Sequence, residues 1–265
     1  MKQFIFLLLF AASLPVSAQN NYDNTDEKKI SALLDKIHSG KSTEDDKKDL
    51  YNIAITIQNN GQDFDQKYHQ YKKALTSTDK AIELFNELKD TLDIANNRKY
   101  KGYLLGRMGK LKEAKTEIKV AVDLYRFKNM NAEVAVSQFD LARIFEFENK
   151  TDSAIYYAAM AGSFWRIKQV DLRVLIINNM LVSLFLKVNQ PEKAKSVQEE
   201  SKLLITKPDI QWQAILDFYF TSMLLYRTIN DMGVAGDYQH LYLSKIEALK
   251  SSGIIAKSYY ENDRE

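Results

Sequence analysis

Ala81-Ile82-Glu83-Leu84-Phe85 recurs as Ala121-Val122-Asp123-Leu124-Tyr125 and again, by the same step, as Ala161-Gly162-Ser163-Phe164-Trp165. A fainter copy stands at Ser201-Lys202-Leu203-Leu204-Ile205. A second series keeps the step through Ala74, Ala114, Ala154 and Ala194, with Ala235 one residue late. A third is bulky: Leu105, Phe145, Phe185 and, again one late, Tyr226. Three series at one period define a repeat architecture, in which a unit buries its apolar face only by stacking on its neighbours.

Each period holds two helical patterns joined by a turn. From Asn131 to Glu148 the apolar positions Val134, Leu141, Ile144 and Phe145 fall at helical spacing. Asn149-Lys150-Thr151 breaks the pattern, and Thr151 is expected to cap the helix that begins at Asp152. The next unit runs from Asp171 to Val188, turns at Asn189-Gln190, and restarts at Pro191, where a first-turn proline loses no hydrogen bond. Gly109-Lys110 occupies the corresponding turn one unit earlier, and Lys207-Pro208-Asp209 separates the third pair from a fourth, at about Ile210 to Lys250. The 265 residues include only 9 glycines and 3 prolines, one of them Pro15 near the start, which is too little turn chemistry for an all-β fold. The chain is expected to be all-α.

These spacings resemble the tetratricopeptide repeat (TPR) family. Its pattern sets a small residue at position 8, a large one at 11, glycine near 15, alanine at 20, an apolar residue at 24 and alanine at 27. From Ala95 these are Gly102, Leu105, Gly109, Ala114, Ile118 and Ala121; from Ala135 they are Ala142, Phe145, Asn149, Ala154, Ala158 and Ala161. The units from Leu175 (Val182, Phe185, Asn189, Ala194, Gln198, Ser201) and from Leu216 (Met223, Tyr226, Asn230, Ala235, Gln239, Tyr242) match less well. Upstream, Ala74 and Ala81 fit a second helix whose partner, about Thr43 to Gln58, is offset by a longer loop around Gly61. The resemblance implies a right-handed superhelical solenoid of antiparallel helix hairpins over roughly residues 43–250, with about five hairpins. The step of 40 rather than 34 residues departs from the common unit and lies in the range of HEAT and armadillo repeats. The small-residue spacing within each hairpin favours the TPR reading.

The ends read differently. Lys2, the apolar stretch Phe4 to Ala12 and the small residues Val16-Ser17-Ala18 have the layout of a secretory signal peptide at 1–18, cleaved before Gln19. The apolar run falls short of the roughly 20 residues a spanning helix needs. Residues 19–42 form a polar lead-in, and 251–265 a cap or the start of a further repeat at Ala256 to Tyr260. The chain has no cysteine, which removes disulfides and thiolate metal sites, and its formal charge of +2 gives no reason to expect nucleic acid.

Motifs for catalysis are missing. His38, His69 and His240 are far apart, and the acidic pairs Asp45-Asp46 and Glu199-Glu200 stand among lysines on helix surfaces. No phosphate loop, nucleophile elbow or zinc-protease signature occurs, so neither an enzyme nor a cofactor is expected. Phe85, Tyr125, Phe145, Phe185 and Tyr226 read as core, and Trp165 and Trp212 as partly buried.

Binding has a geometric candidate. In such a superhelix the first helix of each unit, helix A, lines the concave face. Positions 5, 9 and 13 share one stripe of that helix. The stripe contains Lys99, Tyr103 and Arg107; Phe139, Arg143 and Phe147; Asn179, Ser183 and Lys187; and Phe220, Leu224 and Thr228. Four cations with aromatics and no carboxylate predict a basic groove for an acidic or C-terminal peptide segment. The set of Lys, Asn and Arg by which some TPR modules grip a terminal carboxylate is not in register here. The expected function is therefore that of an exported scaffold binding a protein or peptide. The alternatives are the sensing region of a TPR-containing kinase or transcriptional regulator and a cell-surface nutrient-uptake component.

Overall fold

Every turn between helices from residue 85 to residue 190 has one geometry, and it recurs at every half-step of the repeat. Lys89, Gly109, Asn129, Asn149, Gln169 and Asn189 all take positive φ, between 53° and 76°. In each case the next N–H reaches back five residues, as from Lys110 to the Leu105 carbonyl at 2.9 Å and from Lys150 to that of Phe145 at 2.9 Å. The positive-φ residue itself donates three residues back, as from Gly109 to the Gly106 carbonyl at 3.0 Å. This is a Schellman ending, which satisfies carbonyls the helix leaves open. The residues whose carbonyls receive the longer bond are Phe85, Leu105, Tyr125, Phe145, Trp165 and Phe185. The bulky series of the sequence thus marks helix ends, and each repeating hairpin is two similar halves.

The computed structural model describes residues 24–255, which hold eleven α-helices and no strand. The leader expected at 1–18 and the segment from Ala256 lie outside the described residues. The helices are α1 (Asn24–His38), α2 (Glu44–Tyr68), α3 (Tyr71–Glu87), α4 (Thr91–Arg107), α5 (Leu111–Phe127) and α6 (Asn131–Phe147). They continue as α7 (Thr151–Ile167), α8 (Asp171–Lys187), α9 (Pro191–Leu204), α10 (Trp212–Thr228) and α11 (Met232–Ser251). The helices α4 to α8 are equal in length, and the connections between them are equally short.

The chain divides into two compact units, Met1–Ile53 and Ala54–Glu265. In the first, α1 occupies what the sequence suggests is a polar lead-in, and it buries Ile30 and Leu33 while the start of α2 buries Leu50. Thr43 and Asp46 cap α2 reciprocally: the Thr43 N–H donates to the Asp46 carboxylate at 2.9 Å, and the Asp46 N–H to the Thr43 hydroxyl at 3.1 Å. The Lys36 ammonium, at 2.5 Å, and the Thr43 donors hold the Asp46 carboxyl down to about 2.

In the second unit the hairpins close on small residues. Ala74, Ala81, Ala114, Ala121, Ala154, Ala158, Ala161 and Ala194 are fully buried. A Cβ at Gly102 would lie 2.5 Å from Cγ1 of Ile118 and 3.1 Å from the Ala114 carbonyl oxygen, so α4 and α5 touch through the missing side chain. Gly61 corrects one expectation. It lies inside α2, not in a loop, where a Cβ would come within 3.1 Å of Ser77 Cβ and 3.3 Å of the Ala74 oxygen. Ala54, Gly61 and Phe64 therefore fill positions 1, 8 and 11 of the first hairpin. The extra residue sits in the turn, where the Gln70 N–H reaches back six residues to Phe64. Thr151 is a second correction. It is the first residue of α7, Lys150 is the cap, and no side-chain cap bond forms, because the Schellman geometry already sets the turn.

Large side chains fill the rest. Phe85 and Tyr125 are fully enclosed and Tyr226 is buried. Phe145 and Phe185 pack half-buried at the edges of clusters around Ala121 and Ala158. Between α7, α8 and α9 runs a polar network. Arg166 holds Glu200 through two bonds at 2.7 and 2.9 Å and donates to Asn178 at 2.7 Å, and Asn178 donates to Ser201 at 3.2 Å. Burial of Asn178 is tolerable because each polar end has a partner.

Candidate protein-binding groove

The residues of the expected A-helix stripe have a chemistry that differs from the sequence expectation. Arg107, in the last turn of α4, donates to the Tyr71 hydroxyl at 2.8 Å, and its guanidinium lies 5.5 Å from that ring. A cation there is favoured by the helix dipole. Tyr103 stacks on Tyr100 with ring centres 5.9 Å apart, and Tyr100 donates to the buried Asp65 at 3.2 Å. Burial pushes the Tyr100 and Tyr103 hydroxyls up, with Asp65 adding to it; around Tyr103 the charges of Arg107 and Arg143 act the other way. Arg143, on α6, is lowered by burial and by Arg107, against the pull of Asp140 and Glu146. A guanidinium so lowered remains charged. Two guanidiniums from successive A helices thus share one tyrosine-lined wall.

Carboxylates enter from neighbouring positions, which corrects the expectation of a purely basic stripe. Glu146 takes the Lys187 ammonium at 2.8 Å. Asp140 lies among Lys99, Arg143 and Arg173, yet burial dominates and raises its carboxyl. Lys99 stands 5.8 Å over the buried Tyr125 ring. Stripe positions are one residue wide, whereas a helix face is wider, so positions 6 and 12 (Asp140, and Asp65 and Glu146) meet the cations across the groove.

Other predicted groove residues are committed elsewhere. Asn179 is buried and donates to the Ala214 carbonyl at 2.9 Å, tying α8 to the start of α10. Phe139 packs against the cluster of Ala142, Ala158 and Ile177. Ser183 is half-buried. Phe147, at the end of α6, is 65% exposed and offers an open apolar face. The residues brought together are Tyr103, Arg107 and Arg143. Tyr71, Tyr100 and Asp65 join them without any signal in the stripe, since Tyr71 belongs to α3 and Asp65 to α2. Among the described residues no group of histidines and carboxylates could hold a metal ion, and no helix is long and apolar enough to cross a membrane.

The backbone is similar to solved helical-repeat proteins. BtubC (BKLC) from P. vanneervenii superposes with a TM-score of 0.69 at 17% identity, over 86% of this chain and 93% of that one. The nearly identical TPR-like repeats of a kinesin light chain from Podosopora anserina match with a TM-score of 0.56 at 13% identity, over 78% of this chain and 95% of theirs. The chain has a TPR-like fold. A signal-transduction ATPase of Pyrococcus horikoshii with a tetratricopeptide repeat sensor also matches, with a TM-score of 0.60 at 14% identity, over 87% of this chain and 39% of that one. No protein-family model and no curated protein matches the sequence.

Proposed function

We propose that this chain is an exported scaffold that binds a segment of another protein along the A-helix groove and acts by binding rather than by catalysis. A TPR-like solenoid is a protein-interaction scaffold. The observation that carries the finer reading is the wall where Arg107 and Arg143 act on Tyr103, with Tyr71 bonded to Arg107. A carboxylate of a partner segment can pair with a guanidinium of this wall while the rings supply contact area. Export rests on the layout of residues 1–18.

Capture with the mature protein from the envelope fraction of its native host, followed by peptide mapping, tests both parts. One discrete partner segment is expected, lost when Arg107→Glu and Arg143→Glu are combined. Undiminished recovery by that double variant counts against the groove. The amino terminus of the exported protein is expected to read from Gln19 on sequencing, and protein starting at Met1 in the cytoplasm contradicts export.

A second reading is the sensing region of a signalling protein. The similarity to a signal-transduction ATPase with a repeat sensor favours it, and the same groove would then receive the signal.

A further inference from the structure

Among the described residues the most exposed large apolar side chains are Ile167 at 80%, Phe127 at 74% and Leu203 at 73%. Each stands in the last turn of the second helix of a hairpin: α7, α5 and α9. Phe127 and Ile167 close their helices one repeat step apart, and Leu203 lies one turn before the equivalent place, Lys207. The connections from α5 to α9 are short, so successive helices run antiparallel and these three point the same way. Their last turns therefore lie at one end of the second unit. Single exposed apolar residues are ordinary, but a row of them on three consecutive second helices marks an interaction surface.

The row projects from the surface. At about three-quarters exposure these side chains give a peptide no walls to fit between, and they suit a partner that they can enter. The charges beside them say which partner. Lys128 and Lys168 directly follow Phe127 and Ile167, are exposed, and have no carboxylate partner among the described residues. Their ammonium groups stand 5.9 Å over the rings of Phe127 and Phe164. The carboxylates of the same last turns are taken: Asp123 by Arg126, Glu199 by Lys202 and Glu200 by Arg166. At the adjoining helix starts Asp171 is taken by Lys207, and Glu133 is half-buried and acts on the Tyr125 hydroxyl. A long lysine stem keeps its ammonium at a polar surface while an apolar neighbour goes below it. A second copy of the chain on this row would set lysine against lysine.

We propose that this end of the second helices docks on a bilayer of anionic lipids. Phe127, Ile167 and Leu203 enter its interface, and Lys128 and Lys168 meet its phosphates. No described helix is long and apolar enough to cross a membrane, and surface docking requires none. The edge uses second helices alone, not the A-helix stripe.

The test is flotation with vesicles of equal parts phosphatidylglycerol and phosphatidylcholine at low salt. It uses the chain from Gln19, which keeps every described residue and omits the apolar stretch Phe4 to Ala12. The protein is expected to float with these vesicles, to be released by about 1 M salt, and to stay behind with phosphatidylcholine alone. Phe127→Ser, Ile167→Ser and Leu203→Ser combined should lower partitioning about tenfold or more. Lys128→Glu with Lys168→Glu should do as much, since each lysine near an anionic surface contributes about fivefold. All five side chains are exposed, so both variants should keep the parent melting temperature. Tyr156→Ser, at an exposed site earlier on α7, should float like the parent. No flotation with the anionic vesicles, flotation undiminished in the triple serine variant, or an equal loss with Tyr156→Ser overturns the proposal. So does a dimer in light scattering, or a captured protein, that the triple variant loses while the parent leaves vesicles unbound.

Discussion

The hairpins from α4 to α9 and the last hairpin, α10–α11, share one register and are built from different material. In the former, α4 to α8 all end in the same Schellman turn and the hairpins meet through alanine and glycine. The helix α10 ends in that turn too, at Asn230, and α9 is the helix that does not. The step into the latter is longer by one residue, and its interface is filled by Leu225, Tyr226 and the half-buried Tyr238. Pro208 accounts for the change of step. It stands where Lys128, Lys168 and Val188 donate an N–H four residues back, at 3.1 to 3.3 Å, to finish the preceding helix. Proline has no such donor and disfavours helix in the residue before it. So α9 stops at Leu204, and a looser connection leads to α10. The regular part owes its regularity to its turns, and the irregular part carries Asp217, an exposed carboxylate on α10.

The largest effect should come from Gly102→Val. With Ile118 Cγ1 already 2.5 Å from an added Cβ, α4 and α5 must separate, and a loss of about 3 kcal/mol is expected in chemical denaturation. The same change at Gly236, inside α11 with nothing within 4 Å of its Cβ, should be neutral or slightly stabilising, because valine has the better helix propensity. Equal losses at the two positions would contradict the close approach of α4 and α5 at Gly102.

Asp217→Asn addresses the other side of the comparison. Crowding by neighbouring protein atoms pushes its carboxyl up to about 6 in the folded chain, above the value near 3.9 of an unfolded chain. A raised value means that the protonated form favours folding, an advantage complete below about pH 4 and lost as pH rises through 6. The variant should therefore gain stability at pH 7.5 and none at pH 4. Solvent screening at this open position limits the gain to about 1 kcal/mol. A gain independent of pH would contradict an unpaired carboxylate.

The smallest effects concern the turns. Lys89 and Gln169 take positive φ, which glycine accepts without steric cost. Lys89→Gly and Gln169→Gly should each raise stability by about 0.5–1 kcal/mol, and Asn149→Gly by less, since asparagine tolerates this conformation. A loss on both would deny that these turns share one geometry.

These turns also show how far the fold can be read from residues alone. Gly109, Asn149 and Asn189 advertise turns, and with the alanine series they are enough for the hairpins from Ala95 onward. Lys89 and Gln169 have the same geometry but no turn signature, because the Schellman bonds and the packing of neighbouring helices impose it. That hides the half-step of the turns inside the full step of the hairpins. Gly61 reads as a loop for a related reason. In a helix interior glycine is unfavourable by propensity, and only the tertiary contact with α3 explains it. The residues of the A-helix stripe follow from spacing. Their electrostatics do not, since Glu146 meets Lys187 and Asp65 meets Tyr100 across different helices. Asp217 is within reach of the sequence, one turn above Phe220 on the same stripe.

The central claim is that a partner lies along the A-helix face. A photo-crosslinking amino acid placed at Ser183, midway along the stripe, or at Tyr156, a 59% exposed position on a second helix of a hairpin, compares the two faces directly. Irradiation in the native host, with the crosslinked peptide identified by mass spectrometry, should give one partner segment from position 183 and none from 156. The same segment from both positions, or from 156 alone, would contradict the groove.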